Sequence, residues 1–429
     1  MNGEPILSGR MMFYGDNAFR TFRFRVTLTE TLDPVLLQKA VDEAVRRCPW
    51  AVYGLREEGG LFYTSCHLPG TIKVGKWDDT NPPELGGPDA QGHLVGVYYQ
   101  GRNIIFSFFH GLTDGTGAFS FTDKTLQCYL SILKGEQLIP PEQEYPDAEA
   151  EPLKAVDRAI QESGIALDVS KGSSGQAKEF ADHSQMLAGG AEPCSYLIRA
   201  DVHGMIDFAK RMGIKVSAAL VTLYAAAFLQ VHHDAQGFLK VALPVDFRHV
   251  LGIPHTFRNC AMPPAMFDVE IRDGESIEKL AGRIEESVLQ AVSPAAELYS
   301  VKRFAAYIDR IPQMSYAKTN EAMAKALSVD HPPFTFNCSY ARRFTDEEYL
   351  GLVEKIYVLM PAYGSAPIFE VVAFPDYFYI SMNQGGTCET YLKAFLDQFD
   401  KNGIHAELEE KVKSPVQYVA LRETLGLAQ

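Results

Sequence analysis

A single histidine stands where an apolar segment of the sequence gives way to a glycine-rich one. Residues 104–109 are rich in side chains that favour β-strands, and His110 follows them directly. Asp114 and Gly115 come next, in a turn that leads into a helical pattern. Because the end of a strand holds a side chain rigidly, His110 could act as a general base on the hydroxyl or amine of a substrate.

The spacing His-x-x-x-Asp-Gly, formed here by His110, Asp114 and Gly115, resembles the signature of the coenzyme A-dependent acyltransferase superfamily. That superfamily includes chloramphenicol acetyltransferase, the condensation domains of nonribosomal peptide synthetases and alcohol acyltransferases. Condensation domains usually carry two consecutive histidines, whereas Phe109 precedes His110 here. The resemblance therefore implies an acyltransferase rather than a peptide-bond-forming condensation enzyme.

The resemblance also implies roles for residues far from the motif. The segment that contains Pro244 and Arg248, followed by Asn259, is similar to a superfamily strand end whose arginine pairs with the motif aspartate. We therefore expect an ion pair between Asp114 and Arg248 that joins the two halves of the chain. In that role Asp114 would orient its loop and would not transfer protons.

Four further residues complete the predicted site. Gly111 and Gly115 are expected to provide turn geometry and room for substrate. Asn337 and Ser339 lie in a segment that loosely resembles the superfamily strand lining the acyl channel, although the glycine of that strand is absent. These two side chains are candidate donors to a tetrahedral oxyanion.

The resemblance implies transfer of an acyl group from acyl coenzyme A, a cosubstrate, to an alcohol or, second, an amine. His110 would be the base, without a covalent enzyme intermediate, a permanently bound cofactor or a metal ion. One alternative is a free-standing condensation-type domain that takes its acyl group from a separate phosphopantetheinyl carrier protein. Another is a catalytically silent binding protein of the same fold.

Composition excludes several other classes of protein. The 429 residues include 54 acidic and 40 basic side chains, for a formal charge of -14, which argues against nucleic acid as a partner. The seven cysteines form no Cys-x-x-Cys pair, so we expect free thiols in a reducing cytoplasm rather than disulfides or a zinc site. No signal peptide is evident, and the longest apolar region, residues 216–231, indicates a buried helix rather than a membrane span.

Periodicity predicts the elements that position the motif. Residues 22–28 alternate as a half-buried strand, and a helix follows with Asp33 as its N-cap. Two strands, 94–99 and 104–109, lead to His110, and Thr116 could cap the helix behind the motif.

We therefore predict an α/β protein of two chloramphenicol acetyltransferase-like domains, each a mixed β-sheet flanked by helices, with the active-site channel between them. Residues 1–137 would form the first domain, 138–193 a linker with some helix inside it, and 194–429 the second domain. The segment 407–429 has no part in the resemblance, and its role stays open.

Overall fold

The chain forms two large β-sheets with helices packed on them, together with a short hairpin. The computed structural model describes residues 5–15, 20–65, 68, 70–138, 145–167, 192–232, 237–272, 274–311, 315–326, 334–344, 347–362, 366–413, 425 and 427.

The first sheet has five strands in the order β11-β1-β6-β5-β4. Phe22, Phe24 and Val26 of β1 are fully buried, but Arg23 and Thr27 on the opposite face are buried as well, so β1 is not the half-buried strand that the alternation predicted. Strand β6 lies between β1 and β5 and pairs antiparallel with both, so the strand that leads to His110 is held on each side. The strands are β1 (Thr21–Leu28), β4 (Gly75–Lys76), β5 (Val95–Gln100), β6 (Asn103–Phe109) and β11 (Val353–Leu359).

Helix α1 packs against α2, and α2 packs on the first sheet, where Phe119 stacks on Phe24. The side chain of Asp33 caps α1 by accepting hydrogen bonds from the backbone of Val35 and Leu36, as predicted. Gly59 and Gly60 have positive φ angles at the hairpin turn, which is the backbone region that glycine adopts most readily. The helices are α1 (Pro34–Arg47), α2 (Gly115–Leu133) and α3 (Pro152–Ser163), and the hairpin strands are β2 (Gly54–Glu58) and β3 (Leu61–Ser65).

The second sheet has seven strands in the order β14-β7-β13-β12-β10-β8-β9. Strand β10 pairs parallel with both β8 and β12, and the other neighbouring strands pair antiparallel, so the sheet is mixed. The strands are β7 (Cys194–Asp201), β8 (Gly237–Leu243), β9 (Ala265–Ile271), β10 (Phe336–Arg343), β12 (Ile368–Ala373), β13 (Tyr377–Gln384) and β14 (Ala406–Lys413).

Helix α5 is the central helix of the second half, and most of its residues are buried, as predicted. No single helix among the described residues is long and apolar enough to cross a membrane; α4 and α5 meet the test only as a pair bent by 87°. The helices are α4 (Val202–Met212), α5 (Val216–Val231), α6 (Arg248–Leu251), α7 (Ile277–Ala291), α8 (Pro294–Arg310), α9 (Tyr316–Ala326), α10 (Glu347–Leu352) and α11 (Thr390–Lys401).

The predicted fold class, two mixed sheets flanked by helices, is confirmed. The segment predicted as a linker contains α3, and the domain boundaries stay predictions. One strand crosses between the halves: β11, from the second half of the sequence, pairs with β1 at the edge of the first sheet. The segment 407–429, for which the sequence suggested no role, supplies most of β14, an edge strand that pairs with β7.

Candidate active site

His110 lies at the end of β6, held by backbone hydrogen bonds. Phe109 N donates to the carbonyl of Leu94 at 3.0 Å, and His110 N donates to the carbonyl of Arg20 at 3.2 Å. The imidazole also meets the ring of Phe22 edge to face, with 4.9 Å between the ring centroids. The strand end therefore fixes the ring, as the sequence indicated.

The hydrogen bonds of the imidazole define its tautomer. Nδ1 of His110 lies 3.1 Å from the carbonyl oxygen of Thr113, and because a carbonyl oxygen only accepts, Nδ1 carries the proton. Thr113 is itself held by a hydrogen bond from Oγ1 to the carbonyl of Phe257, 2.6 Å long. The unprotonated Nε2 has no hydrogen-bond partner within the described part of the chain, so it is available to take a proton.

Burial keeps this histidine neutral. Removal from water lowers the pKa of His110, and this effect outweighs the opposing contributions of the Thr113 carbonyl and the Asp114 charge. The imidazole is therefore unprotonated at neutral pH, which is the state that a general base needs.

Asn259 supports the histidine from the second half of the chain. Its Nδ2 donates to the carbonyl oxygen of His110 at 3.0 Å, and its Oδ1 accepts from the backbone of Ala261 at 3.1 Å. Sequence analysis named Asn259 only as part of a segment similar to the superfamily, and did not predict its contact with His110. The hydrogen bond from Asn259 fixes the backbone of His110, the candidate base.

Asp114 and Arg248 form a buried, bidentate ion pair, as expected from the resemblance. Each Asp114 carboxylate oxygen lies 2.9 Å from a guanidinium nitrogen of Arg248. The same oxygens accept from the backbone of Gly117 at 3.0 Å and of Cys260 at 2.7 Å. Burial alone would raise the pKa of Asp114, but Arg248 and the backbone donors together lower it below its usual value.

Every N–H of the Arg248 guanidinium has an acceptor. Besides Asp114, the group donates to Asp246 at 2.9 Å and to the carbonyls of Thr256 and Arg258, each at 2.8 Å. Burial alone would lower its pKa, but Asp114, through its charge and hydrogen bonds, and the other acidic groups nearby together raise it. Because both side chains of this ion pair have all their hydrogen bonds made, the pair holds the turn after His110 in place. Both oxygens of Asp114 are occupied, so neither is left to bind the imidazole of His110.

Asp114 also begins the helix behind the motif. Its side chain caps α2 through the backbone of Gly117, so the prediction that Thr116 caps this helix is wrong. The hydroxyl of Thr116 donates instead to Asp246 at 3.0 Å. An aspartate is as good an N-cap as threonine, and here its position one residue before the helix decides between them.

The glycines of the motif differ in what surrounds them. A Cβ on Gly111 would overlap the ring of Phe109, so this position needs a residue without a side chain. A Cβ on Gly115 would meet no atom within 4 Å, and Gly115 lines a cavity. Gly117, the next glycine along the chain, is the most confined of the three, because a Cβ there would overlap Thr113 and the carbonyl of Phe257.

A cavity of about 410 Å³ lies between the two sheets in front of His110. Asn337 and Ser339 of β10 line it, so the structure brings these weaker candidates to the same cavity as the histidine. Most of the remaining lining is apolar, with these residues from both halves: Met11, Met12, Phe22, Phe24, Pro244, Val245, Ala261, Met262, Pro263, Pro264, Met266, Phe304, Phe334, Ala341, Val358, Met360 and Ile368.

Glu370 is a cavity residue that sequence reasoning missed. It lies on β12 directly beside Ser339 of β10, and the Ser339 hydroxyl is its hydrogen-bond partner. Burial raises its pKa to about 8. The available signal was one glutamate inside the otherwise apolar strand Ile368–Ala373.

The described residues contain no group of three or more histidine, cysteine or acidic side chains that could hold a metal ion. No cysteine is among the described lining residues of the cavity. The side chain of Cys260, whose backbone N–H donates to Asp114, is buried, and burial raises its pKa well above its usual value.

Comparison with solved structures identifies the fold. Polyketide synthase associated protein 5 from Mycobacterium tuberculosis matches with a TM-score of 0.61 at 15% identity, over 92% of this chain and 97% of that chain. The epimerization domain from the third module of tyrocidine synthetase B matches with a TM-score of 0.59 at 12% identity, over 94% and 96%. TRI101 of F. graminearum, solved with coenzyme A and T-2 mycotoxin, matches with a TM-score of 0.54 at 11% identity, over 91% and 95%.

No protein-family model and no curated protein sequence matches the chain. The structural likeness extends over nearly the whole length of both partners, and at these identities it establishes the fold. The chain therefore has the two-domain, chloramphenicol acetyltransferase-like fold of the condensation domains and acyltransferases.

Proposed function

We propose that this protein is an acyltransferase that moves an acyl group from an acyl coenzyme A thioester to an alcohol or amine, with His110 as general base. The observation that carries the proposal is the state of His110. The imidazole is neutral, Nδ1 donates to the Thr113 carbonyl, and Nε2 has no hydrogen-bond partner among the described residues at a cavity between the two halves. A relative of the same fold has been solved with coenzyme A, which supports this choice of donor.

The reaction needs no covalent enzyme intermediate. The acceptor proton moves to Nε2 of His110 as the acceptor oxygen or nitrogen attacks the thioester carbonyl. The tetrahedral oxyanion then collapses, the carbon–sulfur bond breaks, and the proton on Nε2 passes to the leaving thiolate. The products are the ester or amide and free thiol.

The remaining predicted residues have supporting roles in this proposal. Asn337 and Ser339 line the cavity and are the candidate oxyanion donors, and such a donor is typically worth about 3 to 4 kcal/mol. Asp114 and Arg248 hold the turn after His110 in place. Gly115 leaves open the space that a larger residue at this position would fill.

The test is thiol release from a panel of acyl coenzymes A with mixed alcohols and amines. His110→Ala should lower acceptor-dependent release by about 10²- to 10⁴-fold. His203→Ala, which removes an exposed histidine of α4, should leave the rate unchanged. Equal rates in the native and His110→Ala proteins would remove His110 from the mechanism.

The pH dependence gives a second readout. Because the pKa of His110 is lowered from 6.5, its base form persists into more acidic solution than that of an ordinary histidine. The midpoint of the acid limb in the pH profile of kcat/KM should therefore lie below pH 6.5. An acid limb above that value would contradict the assignment.

The same assay distinguishes the two alternative functions that the sequence analysis left open. Turnover with acyl carrier protein but not with acyl coenzyme A would favour a free-standing condensation-type domain. Binding of ligands without turnover of any donor would favour a silent binding protein.

A further inference from the structure

The described lining of the cavity contains acidic side chains but no basic cation. The described lining residues include the carboxyl groups of Asp114, Asp246 and Glu370 and no lysine or arginine. The pKa of the lining histidine, His110, is lowered by its burial, so the group is neutral. A cationic ligand would therefore meet no like charge among the described lining side chains.

Glu370 differs from the other two carboxyl groups because it has no cationic partner. Asp114 and Asp246 both contact Arg248. Glu370 is only 7% exposed, and within the described ranges no ion pair reaches it. Burial therefore favours the protonated form of Glu370, and a cationic ligand beside it would stabilise the charged form.

Two more oxygen atoms lie beside Glu370. Asn337 and Ser339 are two residues apart on β10, so they project from the same face, and Ser339 is in register with Glu370 on the parallel neighbour β12. Oδ1 of Asn337 is buried and has no hydrogen-bond partner in the described structure. The Ser339 hydroxyl donates to Glu370, which leaves the lone pairs of its own oxygen to accept.

The resulting wall offers three acceptors: the Glu370 carboxylate, Asn337 Oδ1 and Ser339 Oγ. An alkylammonium group has three N–H donors and no acceptor, so it matches this set. Aromatic rings elsewhere in the lining can contribute further attraction to a cation: Phe22, Phe24, Phe304, Phe334 and Tyr340.

We propose that the acceptor is a cationic amine, either an amino alcohol or a diamine, whose ammonium group binds Glu370, Asn337 and Ser339 while its second nucleophilic group reaches His110. The inference rests on the proposed function, because it names the acceptor class of the same site. With Ser339 donating to Glu370, the amide nitrogen of Asn337 is left as the oxyanion donor.

None of the other titratable groups described around Glu370 supplies a positive charge to it. Burial raises the pKa values of Cys338 and Tyr340 on β10 and of Tyr379 on β13, so these groups are neutral at pH 7. The residue opposite Glu370 on β13 is Ser381, which does not titrate. The charged or titratable groups elsewhere in the lining are His110, Asp114 and Asp246.

Calorimetry without an acyl donor tests the site independently of turnover. Linear amino alcohols of increasing length, starting with ethanolamine, are titrated into the native protein, Glu370→Gln and Glu297→Gln at pH 7. Glu297 is the matched control: it is also buried, its pKa is also raised by burial, and it does not line the cavity. Diols of the same lengths are the uncharged control ligands.

Binding of an amino alcohol should weaken about tenfold or more in Glu370→Gln and stay unchanged in Glu297→Gln. The diols should bind weakly and equally to all three proteins. Because the bound ammonium shifts Glu370 to its charged form, the native protein should release roughly one proton per ligand at pH 7. Titration in two buffers of different ionisation enthalpy measures this release, which should vanish in Glu370→Gln.

Equal affinity of the native protein for amino alcohols and diols, unchanged affinity in Glu370→Gln, or no proton release would each overturn the inference. The absence of amino alcohol binding to the native protein would overturn it too. The proposed function fails separately: ammonium binding without thiol release removes the acyltransfer proposal and keeps the site. Thiol release whose KM for amino alcohols is unaffected by Glu370→Gln removes the site and keeps the acyltransfer.

Discussion

The ion pair between Asp114 and Arg248 should be among the most sensitive points of the fold. Asp114→Asn keeps the shape of the side chain but leaves the buried guanidinium of Arg248 without its main counter-charge. Removing one partner of a buried pair typically costs about 3 to 5 kcal/mol. Asp246 still contacts Nη1 of Arg248 and is partly exposed to water, so we expect a loss near the lower end of that range.

Arg248→Met should be destabilising for a related reason. Asp114 would keep only the backbone donors of Gly117 and Cys260, and its burial would then raise its pKa. The double variant Asp114→Asn/Arg248→Met removes both charges together. Its loss of unfolding free energy should be smaller than the sum of the two single losses, by about 0.5 to 3 kcal/mol.

Urea unfolding followed by tryptophan fluorescence measures these losses, since Trp50 and Trp77 are both buried in the first half. Arg272→Gln is the matched control, because Arg272 pairs with Glu270 at 2.6 Å but both side chains are about half exposed. That change should cost far less than the loss of the buried pair, because water screens an exposed ion pair. If Asp114→Asn costs no more than Arg272→Gln, or if the two single losses simply add, the buried pair does not hold the loop as described.

Acid should act on the same pair. The folded-state pKa of Asp114 is below its usual value of 3.8. The stability it contributes is therefore fully present above that value and is lost as the pH falls through the lower folded-state pKa. Asp114→Asn should remove this part of the acid sensitivity.

Two further predictions concern the cavity and the turn beside it. Glu370→Gln should stabilise the protein increasingly as the pH rises from about 4.5 to about 8. The fold raises the pKa of Glu370 from 4.5 to about 8, so the native protein loses stability over that interval and the variant does not. The gain in unfolding free energy should reach about 3 to 5 kcal/mol, and a pH-independent difference in urea unfolding would contradict the prediction. Gly117→Ala should lower the melting temperature clearly, because its Cβ would overlap Thr113 and Phe257. Gly115→Ala should leave the melting temperature nearly unchanged and weaken acceptor binding by occupying cavity space. Equal melting temperatures for the two variants would show that the close contact at Gly117 relaxes freely.

Local sequence signals were enough to predict the elements around the motif. The alternation of residues 22–28 and the apolar residues before His110 predicted β1 and β6, since strand periodicity depends on nearest neighbours along the chain. Asp33 was predicted as an N-cap for the same local reason. The cap of α2 was predicted wrongly because Thr116 and Asp114 both have capping side chains, and the spacing of one or two residues lies beyond the accuracy of such reasoning.

The long-range features could not be read from local patterns. The pairing of β11 with β1 joins residues more than 300 positions apart, and no periodicity encodes it. The environment of Glu370 depends on the alignment of β10 with β12, which places Ser339 beside it. The contact of Asp114 with Arg248 was expected only from the family resemblance, and its closeness in space depends on the packing of the two halves.

The crossing of β11 into the first sheet has a consequence for how such proteins can be built. If the two halves were made as separate polypeptides, β1 would be left with a row of unpaired backbone groups along one side. The first half would then be prone to pair with other chains, and the second would expose an unattached strand. The two halves cannot therefore be exchanged between relatives as independent modules, and a functional recombinant must inherit β1 together with its partner β11.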